Sequence, residues 1–426
     1  MNYRFMSEIQ LGYGLDSVNF VFDENQFRIL ANESIAQRPL SDAEIGATFD
    51  SPIASPPLDE ILTPADSVLI VVSDATRATA SAQVVNLLLR RLLQNGISAA
   101  DVAIIFATGI HRPVTPQERI ELLTSFIAQR IKIIDHDAYD RARLTSLGVT
   151  ERGTLIEVNS ALGEFSRIVL IGGIGFHYFA GFTGGRKSVC PGLASASTIE
   201  ATHMLALDFE AGGRRNGVGT GLLDGNVVSE ECERAAEIVA PAFGINTVVD
   251  PRGRATSVTC GDWRLAHRSG CDAYLASHSV NVPSKRDLVF VSCGGSPYDI
   301  NLIQAHKALD MAAHVCNTGG TIILLAECRD GLGRPDFAKW FDAPDSHALE
   351  NRLRMTYEVN GQTAWSLLTK TERYRVCLVS KLPDEEVRRM RMIPFRNFSD
   401  AFDQAPQDVD GYIMPRGAAF LPRVLS

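Results

Sequence analysis

The stretch RIVLIGGIGFHYFAGFTGGRK, residues 167–187, decides the fold. Its opening run, Arg167-Ile168-Val169-Leu170-Ile171, is apolar and strand-like. A glycine-rich turn follows, Gly181-Phe182-Thr183-Gly184-Gly185-Arg186-Lys187. Strand followed by glycine turn suits a backbone that must come close to a phosphate, with a cation at its end. His177 stands ten residues before Lys187 and His203 sixteen after it. The expectation is that these three polar groups converge on one buried cofactor.

Working outward, the same strand-then-helix rhythm recurs on the N-terminal side. Ser67–Val72 (SVLIVV) is a continuous apolar run, as a strand buried on both faces requires. Residues 80–94 carry helical apolar spacing and stop at Asn95-Gly96, a C-terminal signal. Val102–Phe106 is the next strand, Thr115-Pro116-Gln117-Glu118 reads as a capped helix start, and Ile131–Ile134 is another strand. Such an alternation predicts a parallel sheet covered by helices. Asp74, Arg77, His111 and His177 each follow a strand, where sheets of this kind bind ligands.

Further on, residues 226–240 read as an amphipathic helix and Ile245–Val249 as a strand. Residues 278–286 lack a period and mark a junction. A second α/β rhythm begins at Leu288–Ser292, continues through a helix at Ile303–Val315 and strands at Thr321–Leu325 and Val376–Ser380, and ends in an edge strand at 411–415. Residues 1–60 read as short strands and loops. The expected architecture is two α/β domains with mostly parallel sheets, 1–280 holding a cofactor and 281–426 adding substrate-side residues, with an active-site cleft between them.

Composition narrows the class. At 426 residues, two domains are the natural expectation. A formal net charge of −9 argues against a nucleic-acid partner, which needs a basic footprint. The eight cysteines are scattered without a CxxC pair, so buried free thiols are expected in place of a zinc ribbon or disulfide framework. No secretory signal and no long apolar run are visible, which predicts a cytoplasmic protein off the membrane.

Several residues keep two readings. Lys187 can be a phosphate-binding point charge or a nucleophile that bonds to a cofactor. GFTGGRKS departs from the pattern G-x-x-x-x-G-K-[ST], which weakens a kinase or ATPase reading without removing it. His203 lacks nearby His or Cys partners, so a metal there needs other ligands from the cofactor itself. His111 and His177 could exchange acid and base roles on one substrate carbon. Gln304 and Lys307 share a helix face able to hold a carboxylate, or simply a solvated surface, and Trp365 packs over a pocket or fills a core.

Taken together the motifs resemble the nickel-dependent lactate racemase family. The matching pieces are SDATR at 73–77, ATGIHRP at 107–113, GIGFHYFAGFTGGRKSVCPG at 173–192, LDGNVVSEECERAAEIV at 223–239, SPYDINLIQAHKALDMA at 296–312 and GGTIILLAECRDGLG at 319–333. The resemblance implies a racemase or epimerase acting at C2 of a small 2-hydroxy acid through a 2-keto acid. It implies a nickel pincer nucleotide joined covalently to Lys187, with His203 as nickel ligand, and cofactor-making enzymes as partners. It makes His111 and His177 the alternating acid and base. Asp74, Thr76, Arg77, Gly184 and Gly185 would hold the nucleotide, with Arg77, Gln304, Lys307 and Trp365 toward the substrate and Lys307 and Arg77 neutralising charge. Ala78, Ile303 and Tyr298 depart from the family pattern and point to a reshaped substrate pocket. A non-catalytic relative without cofactor is the remaining alternative.

Overall fold

The computed structural model describes residues 6–31, 38–406 and 409–425. The chain forms two compact units, one made of Ile35–Ala206 and Arg215–Ala276, the other of Met1–Ser34, Leu207–Arg214 and Ser277–Ser426. Both are α/β, and both sheets are mostly parallel, as the sequence predicts.

In the first unit six strands stand in the order Ala255–Gly261, Phe243–Val249, Arg167–Gly173, Val68–Ser73, Val102–Ala107 and Lys132–Ile134. Only Ala255–Gly261 runs antiparallel to its neighbour. Val68, Ile70 and Val72 point into a core with Val84, Leu88 and Leu92 of helix Ser81–Gln94. Leu69 and Val71 point into the opposite core, with Cys232, Ala235 and Ala236 of helix Val227–Val239. That alternation is why the run had to be apolar throughout. Each such side chain contributes roughly 1.5–3 kcal/mol on full burial. Helix Pro116–Leu123 starts at the expected capping box, Thr115 with Glu118.

The strand order has a functional consequence. After Val68–Ser73 the chain moves one way across the sheet, to Val102–Ala107 and Lys132–Ile134, and then returns to place Arg167–Gly173 on the other side. The carboxyl ends of Val68–Ser73 and Arg167–Gly173 therefore flank the topological switch point, where open parallel sheets bind ligands. A Cβ on Gly173 would stand 3.0 Å from both the Ala78 oxygen and the Thr79 methyl carbon, so glycine lets the two loops touch.

The second unit holds an all-parallel six-stranded sheet in the order Ile393–Phe395, Arg375–Val379, Cys316–Leu325, Arg286–Ser292, Gly411–Met414 and Phe27–Ile29. The strand expected at the edge, Gly411–Met414, is therefore interior: Phe27–Ile29 covers it on the outside. The domain boundaries also differ from the sequence reading. One chain crossing, at Ala276/Ser277, lies near the expected 280/281, but the N-terminal segment counts with the C-terminal unit. Its hairpin, Met6–Tyr13 with Asp16–Asp23, delivers Phe20 and Phe22 into a core shared with Phe27, Phe290 and Phe398. The segment Leu207–Arg214 counts there too, through Arg214 beside Asp310 and the Gly213 amide donating to Glu350 at 3.0 Å. Among the described residues no helix is long and apolar enough to cross a membrane, and all eight cysteines are free and buried.

Candidate active site

The loop after Val68–Ser73 begins at Asp74, whose carboxylate is almost wholly enclosed. Its Oδ1 accepts from the Thr76 amide at 3.1 Å and the Thr76 hydroxyl at 2.6 Å. Its Oδ2 meets His111 Nδ1 at 2.7 Å. Burial works against the charge, but the hydrogen bonds from His111 and Thr76 outweigh it and hold the carboxyl below its usual range. His111 follows Val102–Ala107 and keeps half of its side chain exposed. Arg77 is exposed on the same loop as Asp74.

His177 lies in a short hairpin, Phe176–His177 paired with Gly181–Phe182. Its Nδ1 accepts from the backbone amides of Phe179 and Ala180 at 3.2 and 3.1 Å. Lys187 Nζ stands 3.5 Å from His177 Nε2. Burial, then the positive charges of Lys187 and Arg77, hold His177 well below the ordinary imidazole range. Burial takes the Lys187 amine down to about 8 and the His203 imidazole, at the end of helix Ala196–Met204, to about 3. His203 and Lys187 feel each other's charge, so the three groups predicted to converge do share one region of the first unit.

The glycine turn is braced from below. Gly184 and Gly185 have φ of +79° and +51°, conformations that favour glycine. A Cβ on Gly172 would reach the Gly184 Cα at 3.0 Å, so the turn sits directly on the strand end. Asn246 Oδ1 accepts from the Gly185 amide at 3.1 Å. His267 Nε2 lies 2.9 Å from the Thr183 oxygen. Arg186 is buried and donates to the Ala180 oxygen at 2.8 Å and the Ser229 hydroxyl at 2.9 Å, beside the His267 ring. Arg186, Asn246 and His267 were not assigned these roles from the sequence. Asn246 and His267 lie singly within a strand and a helix, and only Arg186 carried a signal, its place beside Lys187.

These residues suit the implied nucleotide. The donor set is a lysine able to react near neutrality, an imidazole kept neutral and so able to ligate a metal, and a glycine cradle that brings backbone close. Arg77 is exposed and can offer positive charge to an anionic group. Among the described residues no cluster of three or more His, Cys, Asp or Glu could hold a metal, so one at His203 would draw its other ligands from the bound group.

Gln304 and Lys307 lie on helix Leu302–Ala313 of the second unit, with Lys307 Nζ donating to Gln304 Oε1 at 2.6 Å. Trp365 is 1% exposed inside helix Val359–Arg373, a core position within that unit. Its indole Nε1 is enclosed without a hydrogen-bond acceptor.

At the carboxyl end of this parallel sheet, where such folds bind ligands, stand two imidazoles carried by loops and a lysine whose amine burial depresses. The Lactate racemase N-terminal domain matches residues 13–213 and the Lactate racemase C-terminal domain residues 282–414. Lactate racemase of Lactiplantibacillus plantarum is 32% identical over 78% of this chain and 77% of its own length. That of Thermoanaerobacterium thermosaccharolyticum is 29% identical over 82% and 81%. The apoprotein structure of lactate racemase from the latter organism superposes with a TM-score of 0.89 at 26% identity, covering 98% of this chain and all of that one. A Thermotoga maritima protein shares the fold, with a TM-score of 0.66 at 20% identity and coverage of 91% and 99%. The protein is a racemase, an isomerase by class. The chain belongs to the lactate racemase family.

Proposed function

We propose that the protein inverts C2 of a 2-hydroxy acid by way of a 2-keto acid, using a nickel pincer nucleotide attached to Lys187 and ligated through nickel by His203. The observation that carries this reading is the grouping of a depressed Lys187, a neutral His203 and His177 around the glycine turn. When bound, the nucleotide supplies the acceptor and donor of the C2 hydride.

The chain's own residues do the rest. Lys187 reaches the neutral, nucleophilic form near pH 8, which suits covalent attachment. Gly184 and Gly185 let backbone approach the nucleotide, and Thr76 fixes the Asp74 carboxylate that holds His111. His111 and His177 are the groups able to manage the hydroxyl proton. Arg77 offers a cation for the substrate carboxylate. Trp365 acts through packing, since its ring is enclosed. The kinase alternative gains no support: the turn enters a four-residue 3-10 segment, Gly185–Ser188, and not a long helix that could cradle phosphates at its N-terminus.

The relatives' names make lactate the first substrate to test. Ala78, Ile303 and Tyr298 favour screening malate, 2-hydroxyglutarate, phenyllactate and gluconate beside it. The cofactor-making enzymes are the expected partners, in the cytoplasm. After exposure to those enzymes, intact mass should show an adduct lost in Lys187→Ala, with about one nickel per chain. A properly exposed chain without adduct or nickel would overturn the proposal.

A further inference from the structure

The helix that carries His203, Ala196–Met204, is followed at once by a hairpin, Leu207–Arg214, which counts with the second unit. The hairpin is stiff. Leu207 and Arg214 form an antiparallel bridge, and the Asp208 amide donates to the Gly213 oxygen at 2.9 Å. Toward its tip, Asp208 Oδ1 accepts from the Glu210 and Ala211 amides at 3.1 and 3.0 Å. At its open end the Arg215 amide donates to the Ala206 oxygen at 2.9 Å, and the Ala206 amide donates to the His203 oxygen at 3.0 Å. Helix and hairpin therefore share one hydrogen-bonded corner, with no slack between them.

Three helices of the second unit hold the hairpin. The Gly213 amide donates to Glu350 Oε2 at 3.0 Å on helix Ser346–Met355, and the Arg354 guanidinium of that helix lies 5.2 Å from the centre of the Phe209 ring. Arg214 reaches between Asp310 Oδ1, at 3.8 Å on helix Leu302–Ala313, and the Ser366 hydroxyl, at 3.4 Å on helix Val359–Arg373. Glu350, Asp310 and Ser366 are all buried. A buried carboxylate is costly to leave without a partner, so these contacts resist opening more than surface contacts would. Helix Leu302–Ala313 is also the one that carries Gln304 and Lys307.

We infer that Arg214 is a positioning residue for His203, and that the hairpin is a tether through which the second unit fixes the end of helix Ala196–Met204. His203 stands only four residues before Leu207, and the bonded corner passes on any displacement of the hairpin. The order of the His203 helix then depends on contacts made to Leu302–Ala313, and by reciprocity whatever shifts that helix acts on His203. The consequence for a metal rests on the racemase reading of His203, whereas the tether itself does not. Arg214 can be removed cleanly, because Lys370 Nζ stays on Asp310 Oδ1 at 2.7 Å and the second unit keeps its buried ion pair.

Amide hydrogen exchange of the apoprotein tests this. In Arg214→Met the amides of Glu200–Met204 should exchange at least about tenfold faster than in the wild type, the scale of a lost contact to a charged group, while those of Val68–Ser73 keep their rates. Arg214→Lys keeps a cation between the two helices and should stay within about threefold of the wild type. Phe209→Ala removes the tip contact without touching a buried charge, and should speed the same amides about two- to fivefold. In the nickel-loaded chain, Arg214→Met should release nickel about tenfold faster or more, as the loss of an outer support of a metal ligand does. Unchanged exchange at Glu200–Met204, acceleration shared equally by Val68–Ser73, or an Arg214→Lys chain as loose as Arg214→Met would overturn the inference. If the wild-type chain never takes up nickel, the racemase reading fails by itself, and the exchange rates still decide the tether.

Discussion

Replacing Asp74 with Asn alters one atom of the site and should disable its base. In the native loop both carboxylate oxygens accept, Oδ1 from the amide and hydroxyl of Thr76 and Oδ2 from His111. An amide side chain accepts through only one of its two atoms. The oxygen serves best against the two Thr76 donors, which leaves the NH2 group facing His111 Nδ1. That nitrogen must then accept, so the imidazole proton moves to Nε2 and the lone pair is lost where the substrate hydroxyl needs it. The substitution removes the charge-assisted contact that holds the active tautomer, worth roughly 1.5–3 kcal/mol. At about 1.4 kcal/mol per decade, kcat should fall about 10- to 150-fold. The assay is the initial rate of racemisation from each enantiomer at saturating substrate, with adduct mass and melting temperature measured on the same sample. Both directions should fall alike. A loss smaller than about threefold with cofactor retained would refute the pinning of His111 by Asp74.

Other perturbations follow from the same geometry. Gly185→Ala places a Cβ 2.6 Å from the His267 ring at a φ of +51°, and should cost on the order of 2 kcal/mol or more in thermal melts, with slower cofactor attachment. In the second unit Lys370 Nζ lies 2.7 Å from Asp310 Oδ1, with both side chains buried. Asp310→Asn leaves buried positive charge without its carboxylate and should destabilise by about 3–5 kcal/mol, whereas Asp310→Leu with Lys370→Met should recover most of that loss in urea titrations. Burial pushes His267 and His306 down to about 3 from an unfolded value of 6.5. Their folded values lie below the unfolded one, so the stability they contribute is full above pH 6.5 and falls as pH drops toward 3. His306→Gln should therefore flatten the slope of stability against pH in that window by up to about 1.4 kcal/mol per unit, and parallel curves would contradict the buried neutral ring. Amine-selective labelling of Lys187 in the apoprotein should reach half its maximal rate near pH 8, not at the ordinary lysine value of 10.5.

Local patterns carried the first unit. The apolar run at Val68–Val72, the capping box at Thr115 and the glycines before Lys187 each depend on neighbours in sequence, so each was legible. The N-terminal hairpin was not. Phe20 and Phe22 look like ordinary strand residues until Phe290 and Phe398 are brought against them from the far end of the chain. The same distance explains Gly411–Met414, which looked like an edge because nothing near it announces Phe27–Ile29. At the site, the position of His111 after a strand was readable, but its pairing with Asp74 was not, since the two residues come from separate loops. Trp365 shows the converse: an aromatic matching a substrate-side position lies within its unit's core.

The position of Phe27–Ile29 also sets an order of events during biosynthesis. This strand leaves the ribosome long before the strand it pairs with, Gly411–Met414. At cellular rates of 5–20 residues per second the wait is roughly 20–80 s. Throughout it the N-terminal hairpin has its phenylalanines but not the sheet that buries them, while most of the first unit's own strands are already available to pair. A nascent chain of this protein should therefore depend on chaperone cover over that hairpin. Expression of residues 282–414 alone would omit Phe20, Phe22 and Phe27 and leave the same apolar surface exposed from the other side.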